Sequence, residues 1–248
     1  MRAWVRRVIR GKRFLRVAAD TRLVAIGDSH CEFWSGIDAM SGPDRIPGVV
    51  TRHIGPGLAW NLIERSAQTR SGHSVRHALR DLAAQDYRGW VLLCFGEIDL
   101  RVHVLKHAAE SGLRAGVETL VDRYVEFAAE ARRIHSRIAL WGPGASQPAG
   151  TPVNPAYPTT GSEKERNDAT ILFTELLAER ARGIGVPFLT LLPLLLDERG
   201  LTRRELLYDG CHIGQALMPQ AMRLVAESLD LRLDAPAPER VSVRHATA

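Results

Sequence analysis

The chain has 248 residues, of which 45% are hydrophobic and 25% charged, so it can bury one sizeable core. This composition excludes a fibre, a disordered chain and a small disulfide scaffold. The net charge is +5, yet residues 1–16 hold seven basic residues and no acidic one, so the rest of the chain sums to −2, or 26 basic minus 28 acidic residues. Because the body has no basic stripe between aromatic residues, a nucleic-acid partner is not predicted.

The basic excess predicts an N-terminal arm over residues 1–20. It lacks the apolar run of a secretory signal, and no apolar run in the chain approaches the ~18 residues of a spanning helix. Apolar residues alternate with the arginines. This alternation fits either peripheral contact of residues 1–16 with an anionic membrane or an arm that packs on the body. The chain has three cysteines, an odd number, which does not indicate a disulfide framework and favours a reducing cytoplasm. The basic arm would then contact the inner surface of the membrane.

From residue 21, short apolar runs alternate with longer amphipathic stretches, which is typical of buried parallel strands and covering helices. The predicted strands are 23–26, 49–54, 90–95, 137–141 and 186–192. The predicted helices are 74–85, 113–135, 164–182 and 215–229. Right-handed crossovers place helices on both faces of such a sheet. The pattern therefore predicts an α/β fold, a three-layer α/β/α sandwich with a parallel sheet of about five strands, in one domain over residues 21–230.

Two stretches interrupt this rhythm. Residues 142–162 contain five prolines and four glycines, which predicts a long loop: a lid, a binding loop or a mobile insertion. Residues 231–248, which include DAPAPERVSVRHATA, have few large apolar residues, which predicts a disordered tail.

The first chemical signal is the block Gly27-Asp28-Ser29-His30, directly after the first predicted strand. Sites in α/β sheets form at the carboxyl ends of the strands, so Ser29 is placed to act as a nucleophile. The same residues also suit an ordinary turn and helix N-cap. The block alone leaves both interpretations open.

The second signal is Asp209-Gly210-Cys211-His212, just before the last predicted helix. A serine hydroxyl needs a neutral imidazole to accept its proton and a carboxylate to orient that imidazole. Asp209 and His212 can both project from one turn, and the topology brings this turn to the sheet edge that carries Ser29. The two blocks together predict a Ser29–His212–Asp209 triad.

The combination of GDS after the first strand and a C-terminal DxxH resembles the SGNH (GDSL-like) hydrolase superfamily, which contains esterases, lipases and carbohydrate O-deacetylases on a flavodoxin-like fold. The resemblance covers residues 21–230. It implies that Ser29 is the nucleophile, that His212 is the base and then the acid, and that Asp209 is its partner. It also implies an oxyanion hole formed by the N–H of Ser29, the N–H of Gly55 and an asparagine side chain; Gly57 is an alternative to Gly55.

The sequence departs from this family where the asparagine is expected. The third strand is followed by Gly96-Glu97-Ile98-Asp99-Leu100-Arg101, which places an isoleucine at the asparagine position. Arg101 is the best nearby replacement, as an oxyanion donor or as an anchor for an anionic group. Glu97 and Asp99 are candidates for substrate binding; the alternative is an ion pair with Arg101. GDSH together with GEIDxR resembles an SGNH subgroup associated with bacterial surface polysaccharides.

Metal and cofactor signals are weak. Histidines four residues apart occur at His73 and His77 and at His103 and His107, but no third ligand accompanies either pair. The three cysteines lie within two residues of the motif blocks and are interpreted as small buried residues; they are Cys31, Cys94 and Cys211. We therefore predict neither a metal nor an organic cofactor.

The leading hypothesis is a serine esterase that removes an acyl group, expected to be acetyl, from a carbohydrate or similar small hydroxylated substrate. Two alternatives remain. One is an acyltransferase of surface-polysaccharide synthesis. The other is a catalytically weak SGNH-like domain that binds a glycan or a partner.

Overall fold

The computed structural model describes residues 14–66, 70–152 and 158–236. Five parallel strands form one sheet in the order β2-β1-β3-β4-β5. They are β1 Leu23–Gly27, β2 Val49–His53, β3 Trp90–Cys94, β4 Ile138–Trp141 and β5 Phe188–Leu189. The predicted α/β class, parallel sheet and strand number are confirmed.

Strand β1 shows why this sheet is the centre of the molecule. All five of its residues are buried. Successive side chains of a strand point to opposite faces, so Val24 and Ile26 join one apolar core while Leu23 and Ala25 join the other. The strand pairs with β2 on one edge and β3 on the other. Burial on both faces explains its continuous apolar sequence.

Helices cover the sheet. They are α1 Ser71–Ala84, α2 Leu105–Ser111, α3 Leu113–Ile134, α4 Glu163–Gly183, α5 Leu192–Leu195 and α6 Met218–Leu229. Helix α4 begins at a capping box in which Ser162 and Glu165 satisfy each other's backbone N–H groups. A π-helical segment, Asp99–Val104, leads directly into α2.

The structure differs from the sequence prediction in the last strand and helix. Strand β5 has two residues instead of the predicted seven, and α5 follows with a proline in its first turn. Proline suits the start of a helix, because the N–H that it lacks would have no partner within the helix there. The last helix begins at Met218, after a 3₁₀ turn over Gln215–Leu217.

The first part of the long loop, residues 142–148, is buried in the body. The Ser146 N–H donates to Asn167 Oδ1 at 2.8 Å, and Arg166 donates to Ser146 Oγ at 2.6 Å and to the Gln147 carbonyl at 2.9 Å. These contacts contradict a mobile insertion for residues 142–148. Residues 153–157 lie outside the described ranges.

Both chain ends contact the body where they are described. The Leu15 side chain is buried, and its N–H donates to Asp81 of α1 at 2.8 Å. Arg22 pairs with Asp234 at 2.5 Å. The predicted arm and tail therefore include packed residues; residues 1–13 and 237–248 lie outside the described ranges. Among the described helices, none combines the length and the apolar character needed to cross a membrane.

Candidate active site

The strand order places the candidate site at the carboxyl edge of the sheet, where β1 lies between β2 and β3. The chain leaves β1 towards β2 on one side, and the later strands lie on the other. Such a reversal opens a crevice at the carboxyl ends of the two central strands. The Ser29 block follows β1 and the Glu97 block follows β3, so both border this crevice.

The turn after β1 is built from Gly27 and Asp28. A Cβ on Gly27 would lie 2.1 Å from the Cys94 carbonyl oxygen, so only glycine fits against β3. Asp28 caps the 3₁₀ helix Ser29–Ser35, because its Oδ1 accepts the N–H of His30 at 2.9 Å. Burial raises the pKa of the Asp28 carboxyl despite this hydrogen bond. Ser29 is thereby fixed as the first residue of the helix.

Three side chains predicted as a triad form one hydrogen-bonded chain. His212 Nε2 lies 2.8 Å from Ser29 Oγ, although 183 residues separate them. His212 Nδ1 lies 2.7 Å from Asp209 Oδ2. Asp209 Oδ1 also accepts the N–H groups of Cys211 and His212, at 2.9 and 2.8 Å. Partial burial opposes ionisation of Asp209, but the hydrogen bonds and the His212 ring hold its pKa below the usual range.

Two aromatic rings hold His212 in place. Tyr208 stacks on it with ring centroids 5.7 Å apart, and His30 lies at 4.6 Å. Neither contact is predicted from the sequence. Their positions directly beside the motif residues Ser29 and Asp209 are the only signal that the sequence offers for them.

The loop after β2 contains the two glycines considered for the oxyanion hole. Gly55 has a φ of 92°, and a Cβ there would meet no atom within 4 Å. A Cβ on Gly57 would lie 2.7 Å from the Phe95 ring. Gly55 therefore borders open space, whereas Gly57 is packed against the body. This difference favours Gly55 as the oxyanion glycine.

Comparison with solved structures shows the same fold in other proteins. A candidate acylhydrolase from Bacteroides fragilis superposes with a TM-score of 0.54 and 13% sequence identity, over 90% of this chain and 93% of that one. A mutant of an acetyl-xylooligosaccharide esterase from Geobacillus stearothermophilus gives 0.51 and 14%, over 91% and 100%. The chain has the SGNH hydrolase fold. No protein-family model matches the sequence, and no curated protein matches it significantly.

The block after β3 is the part of this SGNH hydrolase fold that differs from the family motif. Ile98 is buried and has no hydrogen-bond donor in its side chain. Arg101 Nε and Nη2 donate to the two carboxylate oxygens of Glu97, at 2.6 and 3.2 Å. This geometry favours the ion-pair alternative for Arg101 and Glu97 over an oxyanion or substrate contact. The pair of Arg101 and Glu97 therefore does not replace the asparagine as an oxyanion donor.

Glu97 also contacts His30, whose Nε2 lies 3.5 Å from Glu97 Oε2. Burial opposes a charge on either group. The contacts with His30 and Arg101 nevertheless lower the pKa of Glu97 to about 2, and those with Cys211 and Glu97 raise the pKa of His30 well above its usual range. Glu97 is therefore the ionised centre of a buried network below the triad.

Asp99 holds the loop that follows β2. Its Oδ2 accepts the N–H of Ala59 at 2.8 Å, and its Oδ1 accepts the N–H of Trp60 at 3.1 Å. Both carboxylate oxygens are thus used by the protein backbone, and Asp99 also lines the cavity beside this loop, so its role in substrate binding stays a prediction. Burial is the main cause that raises the pKa of Asp99 to about 7.

A cavity of about 480 Å³ lies beside this loop. Trp60, Asp99, His103 and Thr119 are among its lining residues, and no triad residue is. The Trp60 side chain is 37% exposed, with the Arg123 guanidinium 5.0 Å from its ring centre. The size lies in the range of small-molecule sites, and the indole offers a surface for stacking.

The cysteines and histidine pairs have separate environments. Cys31 and Cys94 are buried and Cys211 is half-buried, and all three thiols are free. Burial raises the pKa of each thiol. In the first histidine pair, His77 contacts the carboxylate of Asp81 at 3.1 Å. The second pair, His103 and His107, lines the cavity. Neither pair belongs to a three-ligand cluster in the described ranges.

Proposed function

We propose that the protein is a serine hydrolase that cleaves carboxylic esters. The observation that carries the proposal is the continuous chain of hydrogen bonds from Ser29 through His212 to Asp209. If these residues only stabilised the fold through buried carboxylates, no serine hydroxyl would be needed at hydrogen-bond distance from His212. The SGNH hydrolase fold supports the same reaction class.

In the proposed reaction, Ser29 Oγ attacks the ester carbonyl while His212 Nε2 accepts the hydroxyl proton. Asp209 stabilises the imidazolium through Nδ1. Collapse of the tetrahedral intermediate breaks the bond to the alcohol, which leaves with the proton from His212. Water then attacks the acyl-serine, giving its proton to His212, and releases the carboxylic acid and Ser29. No metal or organic cofactor takes part in these steps.

The proposed oxyanion hole consists of the N–H groups of Ser29 and Gly55. Ile98 cannot supply the third donor of the family pattern. Loss of one oxyanion donor costs about 3 kcal/mol of transition-state stabilisation in a related type of site, which corresponds to about a hundredfold in rate. We therefore expect slow turnover with an activated serine that still reacts covalently.

For the substrate, we propose an acyl ester, with acetyl as the favoured acyl group, on a carbohydrate or a similar small hydroxylated molecule. Trp60 and the adjoining cavity support this class, because sugar rings stack on exposed indoles. One structural neighbour is named as an acetyl-xylooligosaccharide esterase, which is compatible with the proposal.

The proposal is tested with a fluorophosphonate probe and a chromogenic acetyl ester. We expect the wild-type protein to be labelled and to hydrolyse the ester. Ser29→Ala removes the nucleophile and should abolish both signals. Asp209→Asn should slow hydrolysis by about 10²- to 10⁴-fold, because the imidazole loses its orienting carboxylate.

The matched control is Ser35→Ala at the other end of the same 3₁₀ helix. It should retain labelling and hydrolysis. If wild type and Ser29→Ala are equally inert towards the probe and towards acylated sugars, the hydrolase proposal fails and a binding function replaces it. Labelling without hydrolysis until a sugar acceptor is added would instead favour the acyltransferase alternative.

A further inference from the structure

A histidine and a cysteine that the proposed reaction does not use lie against the catalytic histidine. His30 directly follows Ser29, and Cys211 directly precedes His212. One ligand atom from each of His30, Cys211 and His212 can be chosen so that all three lie within 4.8 Å of one another. Two imidazoles and one thiolate form a donor set that Zn²⁺ binds strongly.

His30 supplies an independent observation. Its side chain is 7% exposed, and over residues 14–66, 70–152 and 158–236 neither of its ring nitrogens makes a hydrogen bond of good geometry. Buried polar atoms are normally paired, and an unpaired one calls for an explanation such as an ion or a water. The ring lies against His212, and one of its nitrogens lies within 4.8 Å of ligand atoms of Cys211 and His212, while Nε2 also lies at ion-pair distance from Glu97, 3.5 Å.

The carboxylates around the cluster also favour a cation. Asp209 Oδ2 lies 2.7 Å from His212 Nδ1, and Glu97 Oε2 lies 3.5 Å from His30 Nε2. Histidines that bind metals usually have such a carboxylate beside one ring nitrogen, because it orients the ring and makes it a better ligand.

We propose that His30, Cys211 and His212 form an inhibitory Zn²⁺ site. A zinc ion bound through His212 occupies the ring that must accept the Ser29 proton, so occupancy and hydrolysis exclude each other. Both imidazoles must be neutral and the thiol must lose its proton before they can bind. Competition with protons makes this a reversible site, weaker than a closed four-ligand structural zinc site. The inhibition rests on the proposed hydrolase function, whereas metal binding itself does not.

The test uses the purified full-length protein, freed of metal. Co²⁺ is added first as a spectroscopic probe, since a thiolate ligand gives a charge-transfer band that surface histidines cannot produce. We expect one equivalent of Co²⁺ to produce the band, Zn²⁺ to displace it, and Mg²⁺ to have no effect. Zn²⁺ should slow fluorophosphonate labelling at least tenfold, and EDTA should restore it.

Two variants and a control complete the experiment. Cys211→Ala should lose the band, and both it and His30→Gln should weaken zinc inhibition at least tenfold, each relative to its own metal-free labelling rate. His73→Gln, which changes an exposed histidine of α1 outside the cluster and the cavity, should behave as wild type. Absence of the band, or equal zinc inhibition in all variants, would overturn the proposal. A normal band in a protein that the fluorophosphonate never labels would reject the hydrolase function and retain the metal site.

Discussion

At the scale of single residues, Asp99 makes the free energy of unfolding depend on pH. Its folded-state pKa of about 7 lies above the ordinary value of 3.8, so the folded protein holds this proton more tightly than the unfolded chain does. The free energy of unfolding should therefore fall as pH rises from about 4 to about 7, and level off above that range. The contribution is at most about 4 kcal/mol.

Asp99→Asn removes this titration, and chemical denaturation at several pH values measures it. We expect the stability of wild type relative to the variant to decrease between pH 4 and pH 7. Asp28 interacts electrostatically with Asp99, so the difference reports the titration of Asp99 together with its coupling to Asp28. A difference that stays constant across this range would show that Asp99 is ionised throughout.

The triad was predictable from the sequence because its residues follow recognisable blocks at strand ends. Ser29 follows β1, and Asp209 and His212 share one turn. The contact of His30 with Cys211 and His212 was not predictable, because it depends on how side chains orient after distant loops meet. The pairing of Arg101 with Glu97 was left open for the same reason: residues four apart can face each other or the crevice.

At the scale of secondary-structure elements, two glycines should respond in opposite ways to the same substitution. Gly116 lies inside α3, and a Cβ there would meet no atom within 4 Å. Gly116→Ala should stabilise the protein by about 0.5–1 kcal/mol, since alanine restricts the unfolded chain and favours the helix. Gly27→Ala should destabilise it by more than about 2 kcal/mol through the clash with the Cys94 carbonyl.

Thermal and denaturant unfolding of the two variants beside wild type measure these effects. Because both variants add one methyl group, the difference between them isolates the packing of β1 against β3. Equal stabilities for Gly27→Ala and wild type would mean that the two strands separate more easily than their register implies.

The elements that the sequence predicted well are those whose apolar residues follow a single pattern, either a short continuous run or helical spacing. Strands β1 to β4 and the long helices α3 and α4 appear within three residues of the predicted bounds. Residues 99–111 were missed, because their apolar residues Leu100, Val102 and Val104 alternate as in a strand while the chain forms a π-helical turn and α2. Strand β5 was predicted too long, since its apolar run continues into a helix.

At the scale of the whole molecule, the uneven charge leads to a prediction about membranes. We expect the full chain to sediment with vesicles that contain anionic phosphatidylserine, and not with neutral vesicles. Each arginine near an anionic surface contributes about 1 kcal/mol, so changing Arg6, Arg7 and Arg10 to glutamine should reduce partitioning about a hundredfold at low salt.

A variant with the same loss of charge on the body is the control for this experiment. Arg65, Arg114 and Arg199 have exposed side chains, and their change to glutamine should leave vesicle binding nearly intact. If both triple variants bind equally, the N-terminal arm has no special role and membrane contact through residues 1–16 is rejected.

The separation of Ser29 and His212 by 183 positions in the sequence also has a consequence for the order of events during synthesis. Ser29 directly follows β1, the first strand to leave the ribosome, and β2 and β3, the strands beside β1, come next in the chain. The base that activates it is made only after every strand of the sheet. Ser29 in a nascent chain therefore has no base to activate it through most of translation. Its reactivity as a nucleophile should appear only when the turn that holds Asp209 and His212 packs beside it.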